Sequence, residues 1–293
     1  MGNCGRDSVA TPPVRRISGL PESHSRAVRP TSALKLWLLY CAAVIITVGC
    51  GQSESRTEII VFAASSLAES LNQIQTEFES LHPEAKLLFH FAGSQQLRSQ
   101  IEFGAAVDVY VSADATMVSD LANMNLLRGA TTIFAKNRVQ VLLAPGNPGK
   151  IGSLADLSIP GKRIVIGVPD VPVGRAARET LAMLKNIPAF GPEFVKSVAS
   201  NIASEEMNVR GVIVRLALGE ADAGFAYESD SHTASAREMT SIKFPKDATI
   251  EVHYGAGAAN DDAAEFPARF IEFLTSDTAR QILENHGLIV NDS

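Results

Sequence analysis

Two serines, Ser66 and Ser94, stand where a short apolar run gives way to an amphipathic one. A hydroxyl and unpaired backbone N–H groups at the carboxyl end of a strand form a ready anion site. Three further positions repeat this arrangement. Val173-Gly174 opens a helix after the strand that ends at Val168, with Pro172 fixing the turn, and Asn208 precedes Val209 as an N-cap. Tyr227 closes a strand and adds a phenolic hydroxyl. Ser66 also lies three residues before Glu69, the spacing of a capping box, so that segment alone reads equally as a simple helix cap. The helix starts would act together only if two lobes faced each other across a cleft.

Other chemistry fits less well. Gly146-Asn147-Pro148-Gly149-Lys150-Ile151 has two residues between its glycines and no Ser or Thr after the lysine, so it is not a P-loop. Gly93-Ser94 lacks the flanking glycines of a nucleophile elbow. His82, His90, His232, His253 and His286 have no metal-ligand spacing. Asp108 and Asp114 flank a strand and read as polar strand ends rather than as a catalytic carboxylate pair.

The elements that must position these residues alternate strand with helix, the pattern of an α/β fold with mostly parallel sheets. Strands are expected at 59–64, 86–91, 107–111, 138–143, 163–168, 223–227, 242–244 and 250–254. Helices are expected at 66–81, 95–103, 117–123, 174–184, 209–218, 268–274 and 278–285, with Gly287 as the final stop. Residues 195–202 read only as a short apolar segment.

Residues 1–50 differ from the rest. A stretch rich in Arg, Pro and Ser leads to Lys35, an apolar core over 36–48, and Gly49-Cys50. This reads as an export signal; the core is shorter than the roughly 20 apolar residues of a membrane span. The basic stretch ahead of it is long for a signal, an expectation that translation starts after Met1. Gly49-Cys50 resembles the lipobox of bacterial lipoproteins, although Thr47 stands where that motif usually has Leu, so lipidation is expected at Cys50. Cys4 and Cys41 would leave with the signal, and the mature chain then holds neither disulfides nor thiolate metal sites. Residues 1–49 hold six of the 26 Lys/Arg and two of the 32 Asp/Glu, which leaves 20 basic and 30 acidic residues beyond them, about −10 in charge. An acidic body argues against nucleic acid as a partner.

Ile60-Val61-Phe62-Ala63-Ala64-Ser65-Ser66-Leu67 resembles the opening of the periplasmic molybdate-binding proteins of ABC importers. Phe91-Ala92-Gly93-Ser94, Val107-Asp108-Val109 through Ser112-Ala113-Asp114, Val171-Pro172-Val173-Gly174, Asn208-Val209-Arg210-Gly211 and Phe225-Ala226-Tyr227-Glu228-Ser229-Asp230 follow in that family's order and spacing. The resemblance covers roughly 57–290. It implies a two-lobed type II periplasmic-binding-protein fold, each lobe a mainly parallel sheet flanked by helices, joined by crossover strands. It places lobe 1 at 57–138 and 240–293 and lobe 2 at 139–239. It implies molybdate, and tungstate with it, as ligand. The ligand would be held by Ser66 and Ser94 through hydroxyl and N–H, by Val173 and Val209 through N–H, and by Tyr227 through its phenol. Gly93 stands where relatives often have Ser, and Val173 where they often have Ala.

The expected protein is a monomeric carrier outside the cytoplasm, anchored through Cys50, that delivers its anion to a membrane permease. It is not an enzyme and uses no cofactor and no metal apart from the molybdenum oxyanion. The competing readings are a binder of another oxyanion, a ferric-iron binder built on paired tyrosines, a sensor domain, and an exported serine hydrolase. The last needs a base, and no histidine lies in the segments just quoted.

Overall fold

The computed structural model describes residues 56–259 and 265–290, all within the unit Glu54–Ser293. The export signal and Cys50 lie outside the described residues. Among the described residues no helix is long and apolar enough to cross a membrane.

Nine strands are built in chain order: β1 Thr57–Ala64, β2 Ala85–Ala92, β3 Val109–Ser112, β4 Thr131–Leu143, β5 Ile164–Gly167, β6 Ile202–Glu206, β7 Ala223–Tyr227, β8 Thr240–Lys243 and β9 Glu251–Ala258. The helices are α1 Ala68–Leu81, α2 Ser94–Glu102, α3 Ala115–Asn123, α4 Pro172–Leu184, α5 Gly191–Ser200, α6 Val209–Ala217, α7 Glu265–Phe273 and α8 Asp277–Asn285. The strand order is β2-β1-β3-β9-β4-β7-β5-β6, with β8 also paired to β4. β1 runs parallel to β2 and β3, and β5 parallel to β6 and β7, as expected of strands joined through helices. β4 makes the crossing. Its residues 131–138 pair antiparallel with β9, whereas 139–143 pair with β7 and 140–143 with β8.

Each sheet has its own core. Residues 139–248 supply one apolar cluster, centred on Val141, Ile164, Val165, Val212 and Phe225. The first sheet is packed on both faces, because successive side chains of a strand point to opposite sides. Val61, Ala63, Val109 and Val111 face a cluster with Leu71, Phe78 and Phe270, while Phe62 and Tyr110 face one with Leu97 and Leu121.

Two expectations need correction. Residues 195–202 are not a bare apolar segment but the end of α5 and the start of β6. Gly191 takes the left-handed φ of 75° that lets the chain turn into α5, and β6 is an edge strand whose Ser204-Glu205-Glu206 hides the apolar signal. Strand β4 begins at Thr131 rather than 138, and its register slips between Ile133 and Ala135. β8 pairs with β4, and Phe244 and Ala248 pack in the second core.

Candidate functional site

Four helix starts meet at one small cavity. It encloses about 20 Å³ and is lined by Ala64, Ser65, Ser66, Ala92, Gly93, Ser94, Ala113, Val171, Pro172, Val173, Asn208, Val209 and Tyr227. All five residues singled out from sequence are among them. A single water needs about 10–15 Å³, so the cavity is small. Among the described residues no charged side chain lines it.

From the first sheet, β1 ends at Ala64 and a 3-10 turn, Ser65–Leu67, leads into α1. The expected capping box does not form: Ala64 and Leu67 hold the two cap positions, with no side-chain cap bond. Each member of the box has a stronger partner. The buried Ser66 Oγ lies 3.1 Å from Tyr254 Oη, and Glu69 pairs with Arg210. Ser94 is the first residue of α2 after Gly93. Its Oγ accepts the Ala113 N–H at 3.0 Å, and its carbonyl accepts the Tyr110 hydroxyl at 2.9 Å.

From the second sheet come α4 and α6. Pro172 opens α4, and the first bond of that helix runs from Arg175 N–H to Val171 O, so the N–H groups of Val173 and Gly174 have no partner within the helix. Asn208 caps α6 as expected, its Oδ1 accepting the Gly211 N–H at 3.1 Å, and Val209 is the first helical residue. Each start contributes the positive end of a helix dipole.

Tyr227 completes the wall. It is buried, and its hydroxyl has no hydrogen-bond partner among the described residues. Burial, reinforced by Tyr254 and Asp230, holds its phenol far above the usual tyrosine range, so it stays a neutral donor. An unpaired buried hydroxyl costs about 1–3 kcal/mol, a cost that a ligand accepting from it would remove.

Charges stand outside the wall. Arg210 on α6 donates to Ser65 O at 3.0 Å and pairs with Glu69 on α1. Arg175 on α4 lies 3.0 Å from Asp114, which also caps α3 through Thr116. Both ion pairs join elements of the two sheets across the cavity. Asp108 takes the Ile60 N–H at 2.7 Å. Gly93 also belongs to this closure, because a Cβ there would lie 2.5 Å from Met207 O. A serine at 93 would push that carbonyl, and with it the start of α6, away.

Asp230 lies beneath Tyr227 and accepts its backbone N–H at 2.8 Å. Burial raises its carboxyl to about 6, against the opposing pull of that N–H and of Arg210. A folded-state value above the unfolded 3.8 means that stability falls as pH rises from about 4 to 6. The wild type is expected to lose about 3 kcal/mol more than Asp230→Asn over that interval. Urea melts of both proteins at pH 4, 5, 6 and 7 check this; equal pH dependence would contradict it.

Sequence reasoning did not find Tyr254, Asn137 or Arg210 as parts of this site. Asn137 left no signal: it stands between Lys136 and Arg138, just ahead of the strand expected at 138–143. Tyr254 left none either, since a tyrosine in a strand is ordinary core material.

A sequence profile described as "bacterial extracellular solute-binding protein" matches residues 59–289. The molybdate-binding protein ModA of Mycobacterium tuberculosis is 34% identical over 238 residues, covering 81% of this chain and 86% of that protein. A putative ABC transporter substrate-binding lipoprotein of Bacillus subtilis, YvgL, is 23% identical and covers 86% of this chain and 96% of its own. Among solved structures, the periplasmic molybdate-binding protein of Azotobacter vinelandii superposes with a TM-score of 0.67 at 20% identity, covering 80% of this chain and all of that one. This last likeness is one of fold: α/β lobes around a shared cleft.

Proposed function

Because the chain belongs to the bacterial extracellular solute-binding proteins, which share the periplasmic-binding-protein fold, and has molybdate-binding ModA among its relatives, we propose that it captures molybdate and passes it to an ABC importer. The observation that carries this reading is the buried, unpartnered hydroxyl of Tyr227 at a cavity of about 20 Å³ ringed by helix starts. Molybdate is a tetrahedral dianion with four acceptor oxygens and no proton to give at neutral pH. Ser66, Ser94 and Tyr227 offer hydroxyls, and Val173 and Val209 offer N–H groups. Hydrogen bonds to a charged acceptor contribute about 1.5–3 kcal/mol each, so several neutral donors can offset dehydration without a buried cation. Release then needs only that the lobes part.

Tungstate shares this chemistry and is a second ligand of the same site. The protein works outside the cytoplasm as a monomer, held to the membrane by a lipid on Cys50, as the lipoprotein name of the Bacillus relative suggests. The family is one of solute binders, not enzymes, and among the described residues no histidine or carboxylate lines the cavity to activate a serine.

The ferric-iron reading meets one relevant feature. Tyr254 does approach Tyr227, with ring centroids 6.2 Å apart. Its hydroxyl is engaged with Ser66 and Asn137, however, and Tyr254 does not line the cavity. Of the two tyrosines only Tyr227 faces the cavity, so the pair does not present two phenols to one metal ion.

A thermal-shift panel tests the function. Molybdate and tungstate should raise the melting temperature at micromolar concentration, and sulfate and phosphate should not. No shift with either metal oxyanion would overturn the reading. Within that panel, Ser66→Ala should lose about 1–3 kcal/mol of molybdate binding through one unmet charged acceptor.

A further inference from the structure

The parallel strands of the first sheet carry their helices away from the cavity. β1 runs from Thr57 to the cavity at Ala64, and β2 and β3 lie parallel to it. The helices that follow these strands, α1, α2 and α3, start near the cavity and return to the end where β1 begins. The backbone shows the join: Thr57 N–H donates to Glu84 O at 2.7 Å, in the turn after α1.

Each of these helices stops on a large apolar residue that faces outward. Leu81, the last residue of α1, is 64% exposed; Phe103, directly after α2, is 91% exposed; Met124, directly after α3, is 51% exposed. None of the three belongs to the cores on either face of the sheet. Neighbouring charges pair with each other, Arg56 with Glu79, Lys86 with Glu58 and Arg98 with Glu102, so apolar contact rather than charge is what this end offers.

The chain itself names the occupant. Cys50 lies seven residues before Thr57. At no more than ~3.6 Å per residue, that stretch reaches about 25 Å. A body of ~100 residues, with a radius of gyration of about 13 Å, is roughly 34 Å across. A lipid on Cys50 therefore leaves too little chain for this end of the lobe to turn away from the bilayer. We propose that it is a membrane-contact face, with Leu81, Phe103 and Met124 entering the headgroup region of a phospholipid bilayer. The inference rests on the lipid-anchor reading of Cys50. Such a contact would set the cavity, at the far end of the eight-residue β1, roughly 25 Å further out along the strand, facing the medium that supplies the anion.

Tryptophan fluorescence tests it. Trp37 is the only tryptophan and lies in the export segment, so one introduced into the mature chain reports alone. Mature acylated Phe103→Trp and Leu218→Trp proteins are reconstituted into phosphatidylcholine vesicles with and without bromine on the acyl chains, after mass spectrometry of Cys50. Bromine quenches only a tryptophan close enough to touch it. Phe103→Trp should lose about half of its emission or more in brominated vesicles. Leu218→Trp, 67% exposed at the end of α6 on the second sheet, should keep its emission. An unquenched Phe103→Trp, or equal quenching of both proteins, would overturn the inference and leave the anchor standing. A mature chain without lipid on Cys50 would overturn the anchor reading, and the inference with it.

Discussion

Replacing Tyr227 by Phe is expected to weaken molybdate binding about 10- to 150-fold while leaving the ligand-free protein at least as stable as the wild type. The two effects have one origin. The Tyr227 hydroxyl is buried and has no partner among the described residues, so deleting it removes a desolvated donor from the unliganded protein. The same deletion takes one neutral donor from a charged acceptor, a loss of about 1.5–3 kcal/mol. The ring contact with Tyr254 and the packing of β7 survive in Phe. Denaturant melts without ligand, together with calorimetric titration of molybdate, check both halves. A structural tyrosine would show the opposite pattern, with stability lost and affinity kept.

Gly174→Ala is expected to have the largest effect on the fold. A Cβ at 174 would lie 2.0 Å from Val168 O and 2.4 Å from Gly167 O, both backbone atoms that no side-chain rotation can clear. The start of α4 is pressed against the end of β5, and only a residue without Cβ allows that approach. Overpacking typically costs 1–3 kcal/mol, and a double backbone clash belongs at about 3 kcal/mol or beyond. For a chain of this size that is a fall of roughly 6–12 °C in melting temperature. Binding should also suffer, because Val173 belongs to the same first turn. Gly152→Ala is the control: its Cβ would come no closer than 3.7 Å to Asp156 Oδ2, and its stability should match the wild type within about 0.5 kcal/mol. A Gly174→Ala protein that melts like the control would contradict this packing.

How much of the site was legible in the sequence depended on whether a signal was local. Ser94, Val173, Asn208 and Val209 announce themselves at strand-to-helix junctions, because unpaired N–H groups at a helix start follow from backbone geometry alone. Ser66 was legible as a junction residue but not in its bonding. The spacing to Glu69 fits a capping box, yet Tyr254, 188 residues away, takes the hydroxyl and Arg210 takes the carboxylate. Local propensity lost there to partners that only the crossing strands bring near. The same applies to Asn137, whose bonds to Ser229 and Tyr254 span 92 and 117 residues. In the fold, strands with apolar alternation were readable, whereas β6 was not, since its edge position needs no apolar face. Gly93 is the reverse case. A departure from the family pattern in sequence becomes, in the structure, the residue that lets Met207 O approach.

The central claim is that five neutral donors from both lobes hold one oxyanion. Anomalous scattering at the molybdenum edge, from crystals grown with molybdate, tests it most directly. A single strong peak should stand in the cavity between Ser66, Ser94, Val173, Val209 and Tyr227, with its oxygens within hydrogen-bond reach of all five. A peak elsewhere, or one in contact with Arg175 or Arg210 instead of these donors, would contradict the account.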